Sequence, residues 1–255
     1  MPNLPTLLLK LLLVPSLIAA VTLAGRRWGP GVAGWLSAFP IVAGPILLVI
    51  ALEQGPAFAA EAAAHTLLTV LAIVVFSVVY ARAAARQRMP AAMAAALLAW
   101  ALAVSVLRLG ALPPWAAFAA VLAALAVAPR LIGRIAAPPS AHAAGGDLPW
   151  RMLAGAMLTV AVTAAAGSVG PRLSGLFAMF PVMSTVLVGF SHRAAGPGFA
   201  VDLLRGMIKG YYAFAVFCLA LTLLLVAQPL ATAFLLATAC ALAVQLGLRR
   251  ISLPG

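Results

Sequence analysis

Four carboxylates, Glu53, Glu61, Asp147 and Asp202, stand against 16 lysines and arginines, so any proton chemistry must run through very few groups. Two of them share a motif: Gly55-Pro56-Ala57-Phe58-Ala59-Ala60-Glu61 and Gly196-Pro197-Gly198-Phe199-Ala200-Val201-Asp202. Proline suits the first helical position, so each acid falls just over one turn into a helix. A carboxylate there is favoured by the helix dipole, a purely structural role. The functional role is that an ionisable group within a membrane helix marks a proton or substrate path. His65 follows Glu61 by four residues and shares its face, where it would relay protons or neutralise the carboxylate. Arg205, three residues after Asp202, favours a salt bridge there. Glu61, His65 and Asp202 are therefore the candidate proton-coupling residues, with Glu61 the better candidate for a protonatable group.

The second set surrounds two Phe-Pro pairs, Phe39-Pro40 and Phe180-Pro181. A proline inside a helix leaves the carbonyl four residues earlier without its donor, here Leu36 and Phe177. Such groups survive at membrane depth only where protein or water satisfies them. Paired interrupted helices at corresponding positions point to a central substrate site. Ser184 and Thr185 add hydroxyls just after Pro181, so Phe39, Pro40, Phe180, Pro181, Ser184 and Thr185 are the candidate substrate-binding residues. A packing kink, with Gly34, Gly44 and Gly175 letting helices approach closely, is the structural alternative. Thr22 and Thr163 are matched hydroxyls for which a bond to the helix backbone is expected. Trp28, Trp115 and Trp150 fall near helix ends as interfacial anchors. Cys218 and Cys240 lie in apolar spans and read as small buried hydrophobes, with no disulfide and no metal site expected. No Ser-His-Asp order, H-E-x-x-H, Walker loop or G-x-G-x-x-G occurs, so enzymatic chemistry and cofactors are disfavoured.

What must position these residues is a membrane-embedded helical fold. Hydrophobic residues make up 65% of the chain and charged residues 8%, whereas a soluble domain is roughly half apolar and about a quarter charged. One apolar stretch of helix-spanning length follows another, without the alternation of barrel strands. The net charge of +12 is dispersed between these stretches as topology signals, not gathered into a basic, aromatic nucleic-acid patch.

An offset of 141 aligns 20–61 with 161–202 without a gap. The identities are Ala20, Val21, Thr22, Ala24, Gly29, Pro30, Gly34, Phe39, Pro40, Gly55, Pro56, Phe58 and Ala59. Lys10 with Arg151 and Arg108 with Arg249 extend the match to 5–110 and 146–251. The apolar runs predict nine helices, near 6–24, 31–52, 57–81, 90–108, 113–132, 150–167, 172–191, 200–226 and 229–248. The expected organisation is an all-α polytopic membrane protein: a four-helix repeat (1–110), a linker helix and loop (111–145), and a second four-helix repeat (146–255). The odd helix between them inverts the second repeat, and the two should superpose about an axis in the membrane plane. The positive-inside rule agrees. With the N-terminus outside and the C-terminus cytoplasmic, all 16 lysines and arginines except Lys10, Arg108 and Arg172 fall inside. The 136–149 segment, rich in Pro and Gly, then forms a cytoplasmic linker.

The stretches Gly34-Trp-Leu-Ser-Ala-Phe39-Pro40 and Gly175-Leu-Phe-Ala-Met-Phe180-Pro181 resemble the GlpM-like family of small bacterial inner-membrane proteins, with Trp35 and Pro45 as departures in the first unit. The resemblance implies a bacterial inner-membrane location and a four-helix building block about one unit long. It brings no activity with it. The repeat organisation points to a secondary transporter or flippase working by alternating access, with proton coupling through the acids above. A non-transporting scaffold for an envelope pathway is the alternative, distinguished by a closed core. Expected partners are membrane lipid and a small-molecule or lipid substrate, with no nucleic acid; a homo-oligomer is compatible with either function.

Overall fold

A computed structural model describes residues 4–110, 112–135, 146–168 and 180–251. The helices are α1 (Leu4–Trp28), α2 (Pro30–Ser37), α3 (Ala43–Gln54), α4 (Pro56–Ala84), α5 (Met89–Leu107), α6 (Pro114–Ile132), α7 (Leu148–Ser168), α8 (Val182–Ala227) and α9 (Leu230–Ile251). Among the described residues there is no strand. Residues 172–179 of the expected seventh helix, with Arg172, Gly175 and Phe177, and linker residues 136–145 lie outside the described residues. Six helices, α1, α4, α5, α6, α8 and α9, are long and apolar enough to cross a membrane, the make-up of a multi-pass membrane protein. Exposed leucines such as Leu98, Leu102, Leu235 and Leu246 give α5 and α9 an apolar outer surface of the kind water-soluble monomers rarely present.

The helices are joined by two kinds of break, both encoded by proline. Gly29 (φ 88, ψ 168), Gly55 (φ 91, ψ 163) and Gly196 (φ 86, ψ 174) adopt one conformation, in a region open essentially only to glycine. Each is followed by a proline that opens the next helix, where no backbone donor is needed. Gly55 N–H closes α3 on the Ala51 carbonyl, and the Gly55 carbonyl accepts the Ala59 N–H of α4. One residue thus closes one helix and opens the next while both its N–H and its carbonyl stay hydrogen-bonded. Gly196 divides the 46-residue α8, which would otherwise run about 69 Å, more than twice the bilayer core. The two helices expected at 172–191 and 200–226 are, over their described residues, these two segments of α8.

The second break is at Phe-Pro. The helix expected over 31–52 is two helices, because α2 ends at Ser37 and α3 begins at Ala43. The Leu36 carbonyl is not left without a donor, since Phe39 N–H turns back to it at 3.2 Å. Ile41 N–H then bonds the Phe39 carbonyl across Pro40 at 2.7 Å, and Val182 N–H bonds the Phe180 carbonyl across Pro181 at 2.8 Å. Pro181 (φ −79, ψ 62) has inverse γ-turn geometry. The helices beyond start alike, with Gly44 N–H on the Pro40 carbonyl and Thr185 N–H on the Pro181 carbonyl. Once Phe39 has turned, the Trp35 carbonyl lacks its helical donor, and Gln245 Nε2 reaches it from α9 at 3.1 Å. With 8 and 12 residues, α2 and α3 are about 12 and 18 Å long, each too short to cross the bilayer core alone.

The long helices α4 and α8 form the centre; α5 and α6 pack on α4, and α2, α6 and α9 on α8. α1 lies along α7 and antiparallel to it, because Arg26 meets Asp147 while Ile18 and Val14 meet Gly155. Arg82, in the last turn of α4, donates to the Leu131 carbonyl, and Arg205, early in the second segment of α8, donates to those of Pro129 and Gly133. Both cations sit at the C-terminal end of α6, as its dipole favours. The second segment of α8 therefore runs antiparallel to α4.

The approach of α2 to α8 is backbone against backbone. A Cβ on Gly34 would overlap the Leu203 carbonyl, one on Gly206 would overlap the Gly31 backbone, and one on Gly210 would stand 2.5 Å from the Trp35 carbonyl. Gly206-x-x-x-Gly210 is the small-residue spacing by which membrane helices approach this closely. Gly34→Ala should therefore cost about 3 kcal/mol or more, because the obstacle is backbone. Gly247→Ala, with open space around it, should be neutral or gain up to about 1 kcal/mol. Melting temperatures in detergent check this, and equal effects of the two substitutions would refute the close approach.

Candidate functional site

At the end where α1 finishes and α7 begins, the chain assembles a buried ion cluster. Asp147 immediately precedes α7, and its carbonyl accepts the Arg151 N–H at 3.0 Å. Its Oδ1 accepts from Arg26 Nη2 at 2.7 Å and its Oδ2 from Arg151 Nε at 2.8 Å. Arg151 is only 2% exposed, its guanidinium lies 5.5 Å over the Phe190 ring, and its Nη1 donates to Ser191 Oγ at 3.3 Å. Nη2 lies 2.7 Å from Asp147 Oδ2 but aims no N–H at it and has no hydrogen-bond partner. Partial burial pushes the Asp147 carboxyl up. The hydrogen bonds and charges of Arg151 and Arg26 outweigh that and hold it below the ordinary carboxylate value.

Two cavities adjoin the cluster. A pocket of about 10 Å³, roughly one water, is lined by Val21, Thr22 and Gly25 of α1, Ala33 of α2, Arg151 of α7, and Leu187, Ser191, Phe199 and Leu203 of α8. Thr22, expected to bond its own helix, is 5% exposed and its Oγ1 has no partner. Thr163, its match, is half-buried. The second cavity is an open cleft of about 520 Å³ lined by Asp147, Trp150, Phe190, Arg193 and Ala194. Asp147, Arg151 and the Phe190–Ser191 pair stand between the two.

The six expected substrate-binding residues line neither of these cavities. Ser184 is buried and donates to Met207 Sδ at 3.7 Å, while Gly34, five residues before Phe39, abuts the Met207 backbone nitrogen. Pro40 and Pro181 are buried. Phe39 packs on the core, and Phe180 stands edge-on to Trp100 with centroids 5.4 Å apart. Thr185 Oγ1 bonds the Pro181 carbonyl of its own helix. Glu61 and His65 do pair, at 3.8 Å, but their side chains are 73% and 63% exposed and face away from the bundle. The salt bridge expected between Asp202 and Arg205 is not formed, because Arg205 reaches the carbonyl end of α6 instead. Cys218 is buried as expected, whereas Cys240 lies on the outer surface of α9.

Sequence reasoning passed over Asp147 and Arg151, which read as a linker acid and a topology marker. Their i,i+4 spacing at a helix start was the available signal. It also missed Ser191, and the buried Tyr80, whose hydroxyl lies 2.8 Å from His192 Nδ1. Asp147→Asn would leave Arg151 buried without its counter-ion, at an expected cost of about 3–5 kcal/mol. Glu61→Gln, at an exposed pair, should change stability by less than about 0.5 kcal/mol. The Asp147 carboxyl titrates lower in the folded protein than in the unfolded chain, where its value is about 3.9. Its stabilisation is therefore complete above that pH and is lost as pH falls through the lower folded value. Melting curves against pH should show an acid limb in the wild type that Asp147→Asn lacks. An Asp147→Asn protein as stable as wild type would remove the cluster's structural importance.

No protein-family model, curated protein or solved structure matches the chain, so the site rests on its own geometry.

Proposed function

We propose that the protein is a membrane transporter or flippase working by alternating access between two inverted repeats, residues 5–110 and 146–251. The observation that carries this is the antiparallel crossing of α1 and α7. At the repeat offset of 141 these helices are equivalents, and Val14 meets Gly155, its own repeat partner. A two-fold axis between the units passes through such a self-contact and lies across the helices. The second pair of equivalents, α4 and the later segment of α8, is also antiparallel. The matched Phe-Pro turns and the matched conformation of Gly55 and Gly196 support the repeat locally.

Arg26, Asp147, Arg151 and Arg193 gather at one end of the bundle, and by the positive-inside rule that end is cytoplasmic. The cleft then opens to the cytoplasm, and the location is a bacterial inner membrane on the GlpM-like resemblance. A scaffold requires no cleft leading to a buried arginine. In inverted-repeat transporters the opposite state exchanges the conformations of the two units. The repeat places Val49, Leu52 and Glu53 at the positions equivalent to Phe190, Arg193 and Ala194, so these residues should line the outward cleft.

The test is made in a Cys218→Ala, Cys240→Ser background. Cross-linking Trp150→Cys to Ala194→Cys to close the cytoplasmic cleft should raise labelling of Val49→Cys from the outside several-fold. Unchanged labelling would refute reciprocal opening. For orientation, Arg86→Cys should label only from the cytoplasm and Gln54→Cys only from outside. The opposite result would invert the topology.

A further inference from the structure

We propose that Arg151, Thr22 and Ser191 form a binding site for a carboxylate or phosphoryl oxyanion, which enters through the cleft beside Arg193 and takes Arg151 from Asp147. That this anion is cargo rests on the transport reading; that it binds does not.

Thr22, Arg151 and Ser191 bring donors to a pocket whose other walls are apolar. Arg151 is 2% exposed, and its Nη2 has only the ion contact with Asp147 Oδ2 at 2.7 Å; Thr22 Oγ1 has no partner and its residue is 5% exposed. Ser191 Oγ accepts from Arg151 Nη1, which leaves its own proton to give. A buried donor without a partner carries a desolvation cost that a matching acceptor removes, and a guanidinium fork is shaped for a two-oxygen anion. Charge points the same way. Asp147 is shared between Arg26 and Arg151, so it neutralises neither alone, and Arg193 stands in the adjoining cleft.

The geometry also says what else the ligand carries. A space of about 10 Å³ admits no more than an oxygen until Arg151 and Asp147 part, so the incoming anion replaces the Asp147 carboxylate on the guanidinium. The remainder of the molecule occupies the cleft of about 520 Å³, where Trp150 and Phe190 supply aromatic surface. A cleft of that size suits a drug-sized molecule. The ligand class is thus an amphiphilic anion: a charged oxyanion head on an apolar body, either a free solute or a lipid.

The probes are benzoate, as a free aromatic carboxylate, and phosphatidylglycerol in nanodiscs against pure phosphatidylcholine discs, with chloride at equal ionic strength as the salt control. Ligand that binds only the folded protein raises its melting temperature in a saturable way. Thr22→Val removes the unpartnered hydroxyl while keeping its shape, so it should fold well, and it should weaken the anion-induced shift about tenfold in apparent affinity. Arg151→Lys should abolish the shift; if that variant does not fold, Thr22→Val decides alone. Protection by benzoate that depends on Thr22 assigns a free solute, and protection only by phosphatidylglycerol assigns a lipid headgroup. No protection by either probe, or equal protection of wild type and Thr22→Val, overturns the site. Anion binding through Thr22 without reciprocal opening at Val49 keeps this site and removes the transport reading; the reverse result removes the site and keeps transport.

Discussion

A peptide group that leaves a helix inside hydrocarbon must find another partner, because no water is there to supply one. Each interruption in this chain is shaped by that requirement. At the glycine–proline junctions, a single residue in a glycine-only conformation closes one helix and caps the next, and proline removes the donor that would otherwise be orphaned. At Phe39-Pro40 the chain has no such economy. Phe39 N–H serves Leu36, Ile41 N–H serves Phe39, and the Trp35 carbonyl left over is met by a side chain from a distant helix, Gln245. The break is stable only with α9 in place, which ties a local irregularity to the tertiary arrangement.

The same interruption dictates the packing around it. A short helix of 8 residues has little surface of its own to bury, so α2 is held by approaching α8 until backbone meets backbone. Gly34 on one side and Gly206 and Gly210 on the other make that possible. Dispersion and weak polar contacts, not hydrophobic exclusion, bind helices in a membrane, and they gain most from such close approach. The second segment of α8 is therefore the fixed reference against which both Phe-Pro breaks are positioned, one through Gly34 and Gly210 and the other through Ser184 and Met207.

Much of this could be read from residue spacing because it follows from covalent geometry. Glycine followed by proline marks the helix junctions at Gly29, Gly55 and Gly196, although Gly44-Pro45 lies within the first turn of α3, and the offset of 141 matches Gly55 with Gly196, which share their φ and ψ. Pro40 marked an interrupted helix for the same reason, although the fate of the freed carbonyls was not legible, since Gln245 is brought there by tertiary packing alone. Arg151 was hidden for a different reason. In a membrane protein the positive-inside rule explains any arginine near a helix end, so one buried at 2% exposure carries no mark in sequence. Thr22 and Ser191 were likewise indistinguishable from hydroxyls bonded to their own helices, since only contact across α1, α7 and α8 gives them a different role. Glu61 shows the converse. Its motif matched Asp202, but periodicity did not say that its face of α4 points outward.

The two aligned stretches of sequence do not share their chemistry. Where the second repeat has Asp147, Arg151 and Ser191, the first has Thr6, Lys10 and Ile50. An inverted pair with identical halves would have two end states of equal energy; under the alternating access proposed above, an Asp147 cluster found in one half alone would favour the state in which it is intact. A ligand can shift such an equilibrium only by its difference in affinity for the two states. An anion that replaced Asp147 on Arg151 would supply that difference at the group responsible for the bias, by removing the reason for Arg26, Asp147 and Arg151 to stay together. The equivalent position in the other half is again basic, Lys10, with Thr163 matching Thr22. The sequence thus keeps a cation and a hydroxyl at the equivalent positions, but a lysine lacks the fork geometry that holds an oxyanion at two points.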